Sequence, residues 1–278
     1  MLALGAHQQL QLLLGSTACA GRCLKLQVRT STTTPFCAAP PKYGKFEYRQ
    51  THMAMVLIFD LDDTLYPEIS YVQSGFSAVA EEMHRRYGWH PGESIAHMKE
   101  VLRTRGRGAV FDALLESRGA FTRKAVRECV SLYRHHTPRI ALDPEAEAFL
   151  CRWPAPLYLV TDGHKVVQAK KVEALGITPR FKRVYITHRY GVRHAKPSPY
   201  CFDLIRRAER CKWADLVYVG DNPAKDFVSL NALGSTTVRV LTGEHANVSA
   251  KSGYDGQYKI DDLQGLESLL NELQLTLT

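Results

Sequence analysis

The sequence predicts an α/β fold: a Rossmann-like parallel sheet flanked by helices, with an inserted helical subdomain. Three observations predict it. Short continuous apolar runs recur along the chain, as expected of strands buried on both faces. Segments of helical periodicity separate most of them, which implies crossover connections and a parallel sheet. One interval, after the first run, is too long for a single crossover helix and carries several helical patterns of its own.

Val56-Leu57-Ile58-Phe59 is the first run, and the chain before it differs in character. Residues 1–53 contain Thr30-Ser31-Thr32-Thr33-Thr34, Pro35 and Pro40-Pro41 with little periodicity. This leader is expected to be disordered or loosely packed. Its basic, acid-poor composition suits an organelle-targeting peptide, and its short apolar patch leaves a secretory signal as a second reading. A non-native extension ahead of a start at Met53 or Met55 is favoured, because the patterned body begins abruptly there.

Further strands are expected at Leu157–Val160, Val184–Ile186, Leu216–Val219 and Thr237–Leu241, with a weak last one near Tyr258–Ile260. Helices are expected over 164–175, 198–210, 223–233 and 262–273. Between Tyr66 and about Ile140 the spacing predicts three or four helices. Val79, Met83 and Tyr87 share the face of one, and Ile95, Met98 and Leu102 mark another. Phe111, Leu114 and Leu115, then Val126, Val130 and Tyr133, mark the rest, with Gly88, Pro91, Gly106, Gly108 and Gly119 as punctuation. The domain organisation expected is therefore a leader over 1–53, an α/β core over 54–65 and 141–275, and a helical insertion over 66–140.

Composition narrows the partners. The 278 residues carry a formal charge of +8. Much of that excess lies before Ala54, where Arg22, Lys25, Arg29, Lys42, Lys45 and Arg49 face only Glu47. A nucleic-acid binder would instead cluster its basic residues on a folded face, so none is expected as a partner. No apolar stretch reaches the ~18 residues of a membrane span. The seven cysteines lack zinc or redox spacing and suit a reducing, cytoplasmic compartment, or an organelle if the leader is a transit peptide. A monomer or homodimer is expected.

Chemistry-bearing residues gather at expected strand ends, where open α/β sheets bind ligands. Asp60-Leu61-Asp62-Asp63-Thr64 follows the first run. Carboxylates so close repel one another unless a cation balances them, and an all-oxygen site suits Mg²⁺. Alternation would put Asp60 and Asp62 on one side and Asp63 on the other. The second run ends Thr161-Asp162-Gly163, where a hydroxyl and amides can hold an anion. Lys196-Pro197 precedes a helix after the third. Gly220-Asp221 ends the fourth, and Asp226 is placed in the first turns of the following helix, where the dipole favours an acid.

Together these segments resemble the motifs of the haloacid dehalogenase superfamily over residues 55–275: Asp-x-Asp-x-Thr, then Thr, then Lys-Pro, then Gly-Asp with a second Asp five residues on. The helical insertion resembles that superfamily's small C1-type cap. The resemblance implies a Mg²⁺-dependent phosphomonoester hydrolase of a small phosphorylated metabolite. Asp60 would be the nucleophile that forms an aspartyl-phosphate, and Asp62 the acid and then the base. Thr161, Asp162 and Gly163 would hold the phosphate, and Lys196 would neutralise its charge. Asp60, the Asp62 carbonyl and Asp221 would bind the metal, with Asp226 behind them. Displaced halide needs no proton whereas a leaving alcohol does, so Asp62 argues against dehalogenation. Phosphotransferase, mutase, phosphonate-hydrolase and catalytically silent binding roles are the alternatives.

Substrate selection is expected from Tyr66 at the start of the insertion, from Arg103, Arg105 and Arg107 in a glycine-flanked loop, and from His188. Gly191 lies five residues before Lys196, a longer spacing than in many relatives. That lengthens a rim loop bearing His188, Arg189, Arg193 and His194.

Overall fold

The computed structural model describes residues 55–276; the leader expected over residues 1–53 lies outside them. The described residues all belong to one compact unit, residues 39–278.

Six parallel strands form a single sheet in the order β3-β2-β1-β4-β5-β6. They are β1 (Val56–Phe59), β2 (Leu157–Thr161), β3 (Phe181–Ile186), β4 (Leu216–Gly220), β5 (Thr236–Val240) and β6 (Tyr258–Ile260). The helices are α1 (Glu68–Tyr87), α2 (Pro91–Arg105), α3 (Val110–Glu116), α4 (Arg123–His135), α5 (Pro144–Arg152), α6 (Lys165–Ala174), α7 (Tyr200–Glu209), α8 (Val228–Leu233) and α9 (Gln264–Thr276).

Every residue of β1 is buried because both sheet faces are covered. Leu57 and Phe59 pack on one side with Leu159, Val217, Val219, Phe149 of α5 and Leu266 and Leu270 of α9. Val56 and Ile58 pack on the other with Tyr158, Tyr218 and the α7 residues Phe202 and Ile205. The period-2 alternation of a strand thus feeds two apolar layers from one uninterrupted run.

Helices α1–α4 build a third apolar cluster. Val72, Phe76, Val79, Ala80 and Met83 recur at helical spacing along α1 and meet Met98, Val101, Val110, Leu114 and Cys129. Tyr87, expected on that face, is exposed instead and stacks on Trp89. Gly88 in the left-handed conformation ends α1, and Thr122 caps α4 by accepting from the Ala125 amide. No helix among the described residues is long and apolar enough to cross a membrane.

Two expectations change. Helix α5 was not anticipated. The helix expected over 223–233 begins only at Val228, so Asp226 lies in the turn before it and not in a helical first turn.

Candidate active site

Strand β1 lies between β2 and β4, and the sheet order runs outward in both directions from this point. Such a switch point opens a crevice at the strands' carboxyl ends. The Asp60 amide donates to the Val219 carbonyl at 2.8 Å, which carries the β1–β4 pairing one residue past the strand and sets Asp60 beside the end of β4. Asp221 follows that end directly. Carboxylate oxygens of Asp60, Asp221 and Asp226 come within 4.8 Å of one another, and all three residues are buried.

Grouping buried acids is unfavourable without cations. Lys196 supplies one. Its Nζ lies 2.9 Å from Asp60 Oδ2 and 2.7 Å from Asp226 Oδ1, and it donates to the Tyr218 hydroxyl. Burial alone would pull the Lys196 ammonium down, but Asp226 and Asp60 push it well above its ordinary value. Asp226 is further held by the Tyr218 hydroxyl and by the Asn222 amide at 2.9 Å. A side chain at Gly220 would meet Asp226 Oδ2 at 2.8 Å, so glycine is what lets that carboxylate approach the backbone.

Burial pushes the Asp60 carboxyl up to about 6, with Lys196 opposing and Asp226 reinforcing the shift. Burial, Asp60 and Asp226 together push Asp221 up to about 9. Asp221, 4% exposed, accepts no hydrogen bond and makes no ion pair among the described residues. A buried carboxylate without a protein donor, in an all-oxygen cluster, fits a hard divalent cation. Asp226 does not offer itself in the same way, because Lys196, Tyr218 and Asn222 already take its oxygens.

The cleft above these residues encloses about 260 Å³. Asp60, Asp62, Asp63, Glu68, Asp162, Asp221 and Glu244 line it with Arg107, Asn222, Lys225 and His245. Asp62 and Asp63 therefore share the cleft with Asp60. The expected alternation fails because β1 ends at Phe59 and Asp63 takes a left-handed conformation with φ 50°. The Asp63 carboxylate accepts from the Glu68 amide at 2.8 Å and the Glu244 amide at 3.3 Å, joining the turn to α1 and to the loop after β5.

Thr161 is fully buried, and its Oγ1 accepts from Gln168 Nε2 at 2.5 Å. Gln168 thereby leaves the threonine hydroxyl hydrogen unspent. Asp162 accepts from the Thr187 hydroxyl and the Lys196 amide, which ties the β2 end to the segment carrying the lysine. Gly163 has φ 139° in that turn.

The residues expected to select substrate separate. Tyr66 is fully buried, with its hydroxyl donating to Asp62 Oδ1 at 2.6 Å, so it faces an acid and not open space. Arg103 bends back to Glu100, while Arg105 is exposed; neither lines the cleft. Arg107 does, at 2.6 Å from Glu68 and 3.6 Å from Glu244. His188 sits in a 3-10 turn after β3, away from the cleft lining. The lengthened rim loop packs against the start of α7, with His194 stacked on Tyr200.

Sequence reasoning missed Gln168 and Lys171. Lys171 Nζ reaches Asp62 Oδ1 at 2.7 Å and Glu68 Oε1 at 3.1 Å, with Gln168 Nε2 on Asp62 Oδ2 at 2.7 Å. The signal was available: a lysine among the apolar residues of one helical face, which is rarely left without an acid.

Comparisons with known proteins agree with this arrangement. A profile of the haloacid dehalogenase-like hydrolases matches residues 54–234. The glyceraldehyde 3-phosphate phosphatase of Methanopyrus kandleri is 31% identical over 80% of this chain and 99% of its own. The phosphoserine phosphatase of Thermus thermophilus is 30% identical over 68% of this chain and 89% of its own. The HAD-hydrolase YfnB of Bacillus subtilis, at 18% identity, superposes with a TM-score of 0.55 over 78% of this chain and 98% of its own, a likeness of fold. With strand order, site and sequence concurring, the chain belongs to the haloacid dehalogenase-like hydrolases.

Proposed function

We propose that the protein is a Mg²⁺-dependent phosphatase that hydrolyses a small phosphorylated metabolite through an aspartyl-phosphate. One observation carries this reading: the Asp62 carboxyl opens onto the same cleft as Asp60. A phosphate ester releases an alcohol oxygen that needs a proton, and a carboxyl next to the nucleophile supplies it. Relatives named for phosphatase activity, on glyceraldehyde 3-phosphate and on phosphoserine, support the reaction class and a small substrate.

Asp60 attacks phosphorus while Asp62 protonates the departing oxygen. Asp62 then takes a proton from the water that cleaves the acyl phosphate, restoring both carboxyl groups. Thr161 and the amides of Asp162 and Gly163 hold phosphoryl oxygens, and Lys196 offsets charge beside Asp60. Asp60, Asp221 and the Asp62 carbonyl are the groups that would hold Mg²⁺. When bound, the ion lowers the repulsion between two anions that must approach. Asp226 keeps Lys196 in place.

Residues 54–65 and 141–275 are read as the catalytic core and 66–140 as a cap over it. The separate apolar cluster of α1–α4 supports that division. Arg107, reaching the cleft from the segment after α2, is its candidate contact to the substrate.

Phosphate release from 4-nitrophenyl phosphate tests the proposal. Turnover is expected with Mg²⁺, and it should vanish with EDTA and in Asp60→Asn. Turnover that survives in Asp60→Asn would sink the assignment of the nucleophile.

A further inference from the structure

Asp62 follows β1 in a turn, so no strand geometry sets the direction of its side chain. Three donors set it instead. The Tyr66 hydroxyl and Lys171 Nζ converge on Oδ1, at 2.6 and 2.7 Å, and Gln168 Nε2 holds Oδ2 at 2.7 Å. Tyr66 lies one turn further along the same segment, whereas Gln168 and Lys171 reach across from α6. The Asp62 side chain keeps 21% of its surface open, so the grip leaves a face toward the cleft.

Lys171 is the costly member of the set. Its side chain is 2% exposed and its ammonium lies 4.5 Å from the centre of the Tyr71 ring. Its acid partners are Asp62 and Glu68. A methionine or leucine at this place in α6 would fill the space without desolvating a charge, and buried ion pairs are poor sources of stability. A buried charge kept at such a position points to a task other than packing.

Resting on the phosphatase reading above, we propose that Lys171 and Tyr66 are positioning residues, which hold the Asp62 carboxyl where it meets the leaving oxygen of the substrate. In the step they serve, an Asp60 oxygen bonds to phosphorus and the bond from phosphorus to the leaving oxygen breaks. The electron pair stays on that oxygen, which takes the Asp62 proton. Lys171 and Tyr66 keep their own protons and touch no substrate atom. Small displacements of a catalytic group are expensive in rate, so a carboxyl freed to other rotamers transfers its proton poorly. The substrates that depend on this grip are esters of weakly acidic alcohols. Aryl esters with acidic leaving groups depart with little help.

The test measures kcat/KM of the full chain on 2,4-dinitrophenyl, 4-nitrophenyl and phenyl phosphate. This parameter stops at departure of the alcohol and excludes the later attack of water. Since proton transfer is worth roughly 10²–10⁴-fold, the phenyl to dinitrophenyl ratio should fall at least about tenfold in Lys171→Met and Tyr66→Phe. An equal loss on all three esters is what a merely structural role produces, and it would overturn the proposal. Tyr66→Phe removes one hydroxyl and keeps the ring, so it decides the matter if Lys171→Met does not fold. Wild-type protein without turnover on any ester would overturn the phosphatase reading itself. Active variants with an unchanged ratio would overturn only the positioning role.

Discussion

Glu68 Oε2 and Arg107 Nη2 lie 2.6 Å apart at the rim of the cleft, joining the first residue of α1 to the segment after α2. Burial would push the Glu68 carboxyl up, but the Arg107 hydrogen bond and the charges of Lys171 and Arg107 take it down to about 2. A carboxylate depressed in the fold stabilises it above the unfolded pKa, here near 4.5, and that contribution disappears as pH falls through about 2. Glu68→Gln should therefore lower stability near neutral pH by roughly 1–3 kcal/mol. The gap to wild type should close between pH 4.5 and 2. Urea unfolding at stepped pH measures it; a gap that does not change with pH would contradict the linkage.

Asp221 faces Asp60 and Asp226 without a donor of its own, and this makes a two-sided prediction. In EDTA, Asp221→Asn should unfold at the wild-type temperature or above it, because burial, Asp60 and Asp226 oppose the ionised carboxylate that the unfolded chain carries near neutral pH, a cost the amide lacks. In Mg²⁺ at a hundredfold excess over its dissociation constant, wild type should gain about 2.7 kcal/mol and the variant much less. Thermal unfolding with and without Mg²⁺ reads both arms. A variant that gains as much as wild type would remove Asp221 from the proposed metal site.

The sheet was legible because strands buried on both faces must be apolar throughout, as Val56–Phe59 and Leu216–Val219 are. The acids of the site were legible because they interrupt those runs at their carboxyl ends. Helix α5 was not, since its buried Ala146, Phe149 and Leu150 make too short a stripe to establish a period. The three arginines looked equivalent in a loop. The structure sorts them by helix geometry: Arg103 turns back along α2 to Glu100, whereas Gly106 redirects the chain and brings Arg107 to Glu68. The grip on Asp62 was hidden because Gln168 and Lys171 come from a helix distant in sequence, and local pattern carries no long-range pairing.

Asp226 is the counter-charge that Lys196 shares with Asp60. Asp226→Asn leaves a fully buried ammonium with one acid and replaces an acceptor of the Asn222 amide by a weaker one. Removing one partner of a buried pair costs about 3–5 kcal/mol, and an isosteric amide should keep the loss toward the lower end of that range. Denaturant unfolding checks the stability, and kcat on 4-nitrophenyl phosphate should fall with it as Lys196 settles on Asp60. Wild-type stability in this variant would show that Asp60 alone satisfies the lysine.

Gly243 adopts φ +64°, and a side-chain carbon there would lie 2.1 Å from Asp63 Cγ. The same contact keeps the loop after β5 against the Asp63 turn, with Thr242 donating to the Asp63 carbonyl and the Glu244 amide to its carboxylate. Gly243→Ala must both strain the backbone and displace Asp63, so a loss of at least about 2 kcal/mol is expected, with a fall in kcat as Glu244 leaves the cleft rim. The two causes are separable. Asp63 itself has φ 50°, so Asp63→Gly removes the obstructing atoms at a position that suits glycine. In that background Gly243→Ala should cost only its backbone strain, giving a coupling of at least about 1 kcal/mol in a double-mutant cycle. Additive losses would mean that steric contact with Asp63 is not what reserves position 243 for glycine.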